Sequence, residues 1–141
     1  MSRITLIRHG ESAFSFSGIV RADDFTDITE SYDSSSIVGV PPLDAVAMSR
    51  EYCSVVRSDL ARSHVSAMAL GIDEIHVSDK LFNEIAIPHF SNGSLALPTG
   101  LWPVLLHGLW LFGFSNNGES FANARWRAGQ VVCRLMELSD E

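Results

Sequence analysis

The sequence predicts an α/β fold built around a mostly parallel sheet, and three observations carry that prediction. Short apolar runs alternate with helical patterns three times along the chain, the rhythm of parallel strands joined by crossover helices. The first run, Arg3-Ile4-Thr5-Leu6-Ile7, is almost wholly apolar, as a strand buried on both faces requires. It breaks directly into Arg8-His9-Gly10-Glu11, at the carboxyl end of a strand, where open α/β sheets bind their ligands.

Each element follows in order. Ala13 to Ala22 has little periodicity and reads as a loop over the first strand's end. Between Asp23 and Ser34, Phe25, Ile28 and Tyr32 recur at helical spacing, which predicts a short amphipathic helix with its acids outward. Those acids, Asp23, Asp24, Asp27, Glu30 and Asp33, are spread around the helix without loop-type ligand spacing and read as a solvated face. Ser34-Ser35-Ser36 and Gly39-Val40-Pro41-Pro42 are punctuation. Leu43 to Glu51 forms a helix, and Cys53 to Arg57 a second strand. Ser58 then caps a helix from Asp59 to Leu70 that Gly71 ends.

Glu74 to Val77 makes a third strand. Leu81 to Gly100, with Pro88 and Pro98, is an extended excursion of the kind that covers a site. Leu101 to Phe114 is the most apolar run, but at fourteen residues with Pro103, His107, Gly108 and Gly113 it falls short of the ~20 residues of a membrane span. It reads as a buried or groove-lining helix, with an exposed partner-binding patch as the alternative. The last element starts at Asn116-Asn117-Gly118-Glu119-Ser120, capped by Ser120 or Asn117. It continues with Phe121, Ala124, Ala128, Val131, Val132, Leu135 and Leu138 at helical spacing.

With 141 residues and 46% apolar composition, the chain is expected to form a single domain over residues 1–141. Its formal charge of −7 argues against binding nucleic acid or an anionic membrane. Phosphate, if bound, is therefore captured by local cations. Cys53 and Cys133 lack metal-ligand spacing and sit in apolar segments, so buried thiols in a reducing cytosol are expected. The start of the chain lacks a signal-peptide succession, and a cytoplasmic location is the expectation.

The opening stretch resembles the signature of the histidine phosphatase superfamily, the phosphoglycerate mutase-like fold, in which a first strand is followed by Arg-His-Gly. A second block, Ser58-Asp59-Leu60-Ala61-Arg62-Ser63-His64-Val65-Ser66-Ala67, is similar to the family's strand-ending serine, helix arginine and Ser-Ala or Thr-Ala pair. A third, Leu81 to Pro88, resembles the block that carries a glutamate proton donor, here Glu84. Asn83 stands where many relatives have arginine. Asn117 to Ser120 resembles the block introducing the last long helix, with Glu119 and Ser120 read as capping and structural first.

The resemblance implies a three-layer α/β sandwich and a phosphomonoester hydrolase working on a small phosphorylated substrate. Its implied roles are His9 as nucleophile, Glu84 as acid, and Arg8 and Arg62 as bidentate phosphate ligands. Gly10 lets the backbone turn closely around a ligand, and Glu11 and His89 are further residues for the pocket. No metal or cofactor is implied, because guanidinium groups supply the charge. His64, two positions from Arg62 and so about 200° around the helix, points away from any pocket that Arg62 faces. His76 and His107 read as packed histidines.

Three further features depart from the family pattern. The second family histidine, in a His-Gly step after a strand beyond the last helix, has no counterpart before Glu141. The chain is thus expected to be a truncated form of the domain, or one completed by another copy as a homo-oligomer. Leu43-Asp44-Ala45-Val46-Ala47 replaces the Leu-Thr-x-x-Gly block, and Ser15 replaces the mutase branch's asparagine, which argues against a sugar-phosphate mutase. The alternative to the hydrolase is a catalytically impaired phosphate-binding or interaction protein of the same fold.

Overall fold

The computed structural model describes residues 3–52, 54–86, 88–90, 92–116 and 118–140. Cys53 and Asn117, for which a strand position and a helix cap were expected, lie outside the described residues. The fold is mixed α/β. Among the described residues, six short strands form three hydrogen-bonded pairs. The chain divides into two compact units, one of residues 1–13, 33–84 and 129–141, the other of residues 14–32 and 85–128.

In the first unit, β1 (Glu11–Ser12) pairs antiparallel with β3 (Ile37–Val38), and β4 (Val56–Arg57) pairs in parallel with β5 (Val77–Ser78). The parallel pair flanks α3 (Ala61–Ala69), the strand-helix-strand succession expected for this stretch. Gly71, at φ 76°, ends α3: its N–H reaches the Met68 carbonyl, and that of Ile72 reaches Ala67. Between β3 and β4, α2 (Leu43–Ser49) buries Ser49, whose hydroxyl donates to the Leu70 carbonyl at 3.1 Å.

Several expectations are corrected here. Arg3 to Ile7 carries no strand assignment, and Leu6 is 82% exposed. An apolar run signals a demand for burial without specifying what covers it. Ser58 does not cap α3. The N-cap is Leu60, which forms no side-chain cap, and Ser58 is buried with its hydroxyl 2.5 Å from that of Ser63. β3 falls on Ile37 and Val38, between the two punctuation stretches, for which no element is expected. Cys133 is exposed, not a buried thiol, because its position on α5 (Phe121–Asp140) faces away from the packed side.

In the second unit, β2 (Ile19–Arg21) pairs antiparallel with β6 (Ala96–Pro98), giving order to two segments read as loop and excursion. Pro98 sits at the strand's end, where its missing donor costs no ladder bond. The core joins Ala22, Phe25, Trp102 and Leu106. Phe25 belongs to α1 (Phe25–Ser34), which matches the expected helix, while Trp102 and Leu106 belong to α4 (Leu101–Leu111). The Phe25 and Trp102 rings lie 5.6 Å apart, and the Trp102 indole donates to the Val20 carbonyl at 3.0 Å. Trp102, Leu106 and Trp110 recur every fourth residue and form the buried stripe of α4. Leu101, Val104 and Leu111 lie on its exposed side.

α5 opens with Ser120 as its cap, whose hydroxyl accepts from the Asn123 N–H at 3.2 Å. Glu119 is structural: both its oxygens take hydrogen bonds from Arg127, at 2.9 and 2.7 Å. That bidentate guanidinium holds the Glu119 carboxyl below its ordinary value, against an opposing effect of desolvation.

Candidate functional site

The first unit brings His9, Arg62 and Glu84 together. His9 follows the apolar segment 3–7 and is fixed by its neighbour. The Gly10 N–H donates to the Ser66 hydroxyl of α3 at 3.0 Å, and a Cβ at position 10 would stand 3.1 Å from Ile37 Cδ1. A side chain here would crowd Ile37, so the close approach favours glycine. The His9 side chain is 10% exposed.

The two ring nitrogens of His9 have unlike partners. Nδ1 lies 2.7 Å from the Gly10 carbonyl oxygen, which can only accept, so Nδ1 carries a proton. Nε2 lies 2.7 Å from Glu84 Oε1, a separation that requires one further proton between them. The pair is thus either imidazolium with carboxylate or imidazole with carboxylic acid. In both forms its net charge is zero.

Glu84 is delivered by a short 3-10 turn, Lys80–Phe82, which Asp79 caps by accepting the Leu81 N–H at 2.8 Å. Asn83 Oδ1 accepts from the Asp59 N–H at 3.2 Å, tying the glutamate's segment to the turn before α3. The Glu84 carboxylate spans two groups: Oε1 is on His9, and Oε2 is 3.5 Å from Arg62 Nη2. Its side chain remains 48% exposed.

Arg62 stands in the first turn of α3 with its side chain 1% exposed. The same Nη2 donates to Asp33 Oδ1 at 3.3 Å. Asp33 belongs to the expected solvated helix face, and its side chain is 58% exposed. Its position near the end of α1 nevertheless sets it on the guanidinium. Helical periodicity carried no signal for this contact, since an acid at a helix end looks alike whether it faces water or a cation from elsewhere in the chain.

The remaining expected site residues lie outside this set. Arg8 and Glu11 are exposed, and their side chains enter no hydrogen bond or ion pair among the described residues. His64 is exposed on α3, consistent with a direction away from Arg62. His89 belongs to the second unit, where its N–H donates to the Asn116 carbonyl at 3.2 Å. His76 and His107 are exposed, contrary to the expectation of packed histidines. Each instead uses Nδ1 on a backbone group, His76 accepting from the Val55 N–H and His107 donating to the Pro103 carbonyl.

No group of three or more metal-binding side chains occurs among the described residues. An open hollow of about 570 Å³ also lies in the first unit, lined by Arg3, Thr5, Asp44, Met48, Glu51 and Tyr52. Its cation is already matched: Arg3 donates to Glu51 and to the Tyr52 hydroxyl and lies over the Tyr52 ring. Comparison with protein-family models, with curated proteins and with solved structures gave no match.

Proposed function

We propose that the chain is a phosphomonoester hydrolase of the histidine phosphatase kind, acting on a small phosphorylated substrate through a phosphohistidine. What supports the reading is the convergence of His9, Glu84 and Arg62, three residues selected from separate sequence blocks. The three-layer, mostly parallel sandwich belongs to the same proposal; the parallel β4–β5 pair around α3 supports it, whereas β1–β3 and β2–β6, the other pairs among the described residues, are antiparallel. So does assignment of Arg8 as a second phosphate ligand, for which its exposed side chain would have to turn onto the anion.

The shared proton sets the order of events. For His9 to attack, the Nε2 lone pair must be free, so the proton resides on Glu84. Nε2 bonds to phosphorus while the ester P–O bond breaks, and its electron pair leaves with the alkoxide oxygen. Glu84 protonates that oxygen and becomes a carboxylate. It then accepts a proton from the water that cleaves the P–N bond and releases inorganic phosphate. Arg62 balances the charge on the equatorial oxygens throughout.

One observation favours a catalytically impaired binder instead: Arg62 already carries two carboxylates, and the Glu84 oxygen must be displaced before a phosphoryl group reaches it. Incubation with p-nitrophenyl phosphate in the presence of a chelator separates the two readings. Hydrolysis that His9→Ala abolishes supports the enzyme. No release between acidic and neutral pH contradicts it.

A further inference from the structure

We infer that Asp33 is a specificity-determining residue of this site, selecting phosphomonoesters whose alcohol carries a cationic group close to the ester oxygen. The inference rests on the proposed use of Arg62 as a phosphate ligand. It starts from charge. Arg62 contributes one positive charge, Asp33 one negative, and the His9–Glu84 pair with its shared proton contributes none, so these four side chains are neutral together before substrate enters, Arg8 adding its charge only on turning onto the anion. A dianionic phosphoryl group meets a guanidinium with a carboxylate already on it. A substrate that brings its own cation removes that conflict.

Geometry says where the cation must be. Glu84 Oε2, at 3.5 Å, is beyond ordinary hydrogen-bond length from Arg62 Nη2 and is the contact a phosphoryl oxygen most easily replaces. Asp33 Oδ1 remains on the same nitrogen at 3.3 Å. Two acceptors sharing one nitrogen, each about 3 Å from it, stand no more than about 6 Å apart. A two-carbon amino alcohol spans about 5 Å from phosphorus to its ammonium, within reach of Asp33. The Asp33 side chain, 58% exposed, is free to turn toward the ammonium, whereas the buried guanidinium is fixed. An uncharged alcohol of the same length gains nothing from Asp33 and still faces its repulsion.

The test compares O-phosphoethanolamine with 2-hydroxyethyl phosphate, which replaces the ammonium with a hydroxyl. Binding to the full chain is measured by calorimetry, and turnover by phosphate release. Wild type should bind the amine about three- to fivefold more tightly, the range of one solvent-exposed ion pair. Asp33→Asn should bring the ratio to about one by strengthening binding of the hydroxyl compound and weakening that of the amine. Asp33→Ser should do the same if the asparagine variant fails to fold. Equal affinities in wild type, a preference that survives both variants, or binding of neither compound would overturn the inference. Selective binding without turnover removes the hydrolase reading alone, and turnover of p-nitrophenyl phosphate without amine preference removes the Asp33 inference alone.

Discussion

His9 Nε2 and Glu84 Oε1 are 2.7 Å apart, while the other nitrogen of the same ring is committed to the Gly10 carbonyl. The two contacts together call for one hydrogen between the imidazole and the carboxyl. A nucleophile and its acid can exchange a proton in this arrangement without help from solvent, and the first prediction follows from that.

Glu84→Gln should discriminate between leaving groups. An alkyl phosphate needs its oxygen protonated and should lose roughly a hundredfold or more in rate. p-Nitrophenolate departs without a proton and should lose far less. Parallel measurement of kcat for the two ester types checks this, and equal losses would remove Glu84 from the role of acid.

Arg62→Met keeps most of the buried volume and deletes the cation. Both carboxylates facing it are substantially exposed and can turn to water, so the variant should fold, with a stability loss of about 1–3 kcal/mol. Inorganic phosphate should no longer raise its Tm, whereas it should raise that of the wild type. Equal phosphate protection of the two proteins would remove Arg62 from anion binding.

Gly10→Ala should be destabilising by about 1–3 kcal/mol, because the new methyl meets Ile37 Cδ1 at 3.1 Å and Ile37 Cβ at 3.3 Å. Ile37→Val deletes the nearest of these atoms and should recover part of the loss. A double-mutant cycle read by urea denaturation should show coupling between the two positions. Additive effects would place the cost elsewhere.

The Glu119–Arg127 pair predicts a pH dependence with a definite sign. Its carboxyl is lowered on folding, so the folded state is stabilised at pH values above the ordinary carboxylate range. That contribution is lost as pH falls through the lowered value. Glu119→Gln should therefore cost about 1 kcal/mol at neutral pH and progressively less in acid. Thermal melts of both proteins across pH 7 to pH 3 test this, and a gap that widens in acid would contradict it.

What the sequence made legible was local. Phe25, Ile28 and Tyr32 announced α1 by spacing, and the apolar run from Leu101 announced a buried helix, although which of its residues are covered came only with the structure. His9, Arg62 and Glu84 could be singled out because each sits in a block with a distinctive neighbourhood. Pairings between distant segments left no such trace. Val20 opposite Leu97 joins residues read as loop and excursion, and nothing in either tripeptide names the other. Asp33 escaped for the same reason, its partner lying 29 positions away. The exposure of Leu6 shows the reverse limit: composition marks a residue as apolar, and only the assembled neighbours decide whether it is covered.

The most direct measurement is a rapid base quench during turnover of p-nitrophenyl phosphate, followed by peptide mass spectrometry. The account predicts a phosphoryl adduct on His9 that survives base, is lost in acid and is absent from His9→Ala. Turnover that continues without a modified His9, or an adduct on another residue, would contradict it.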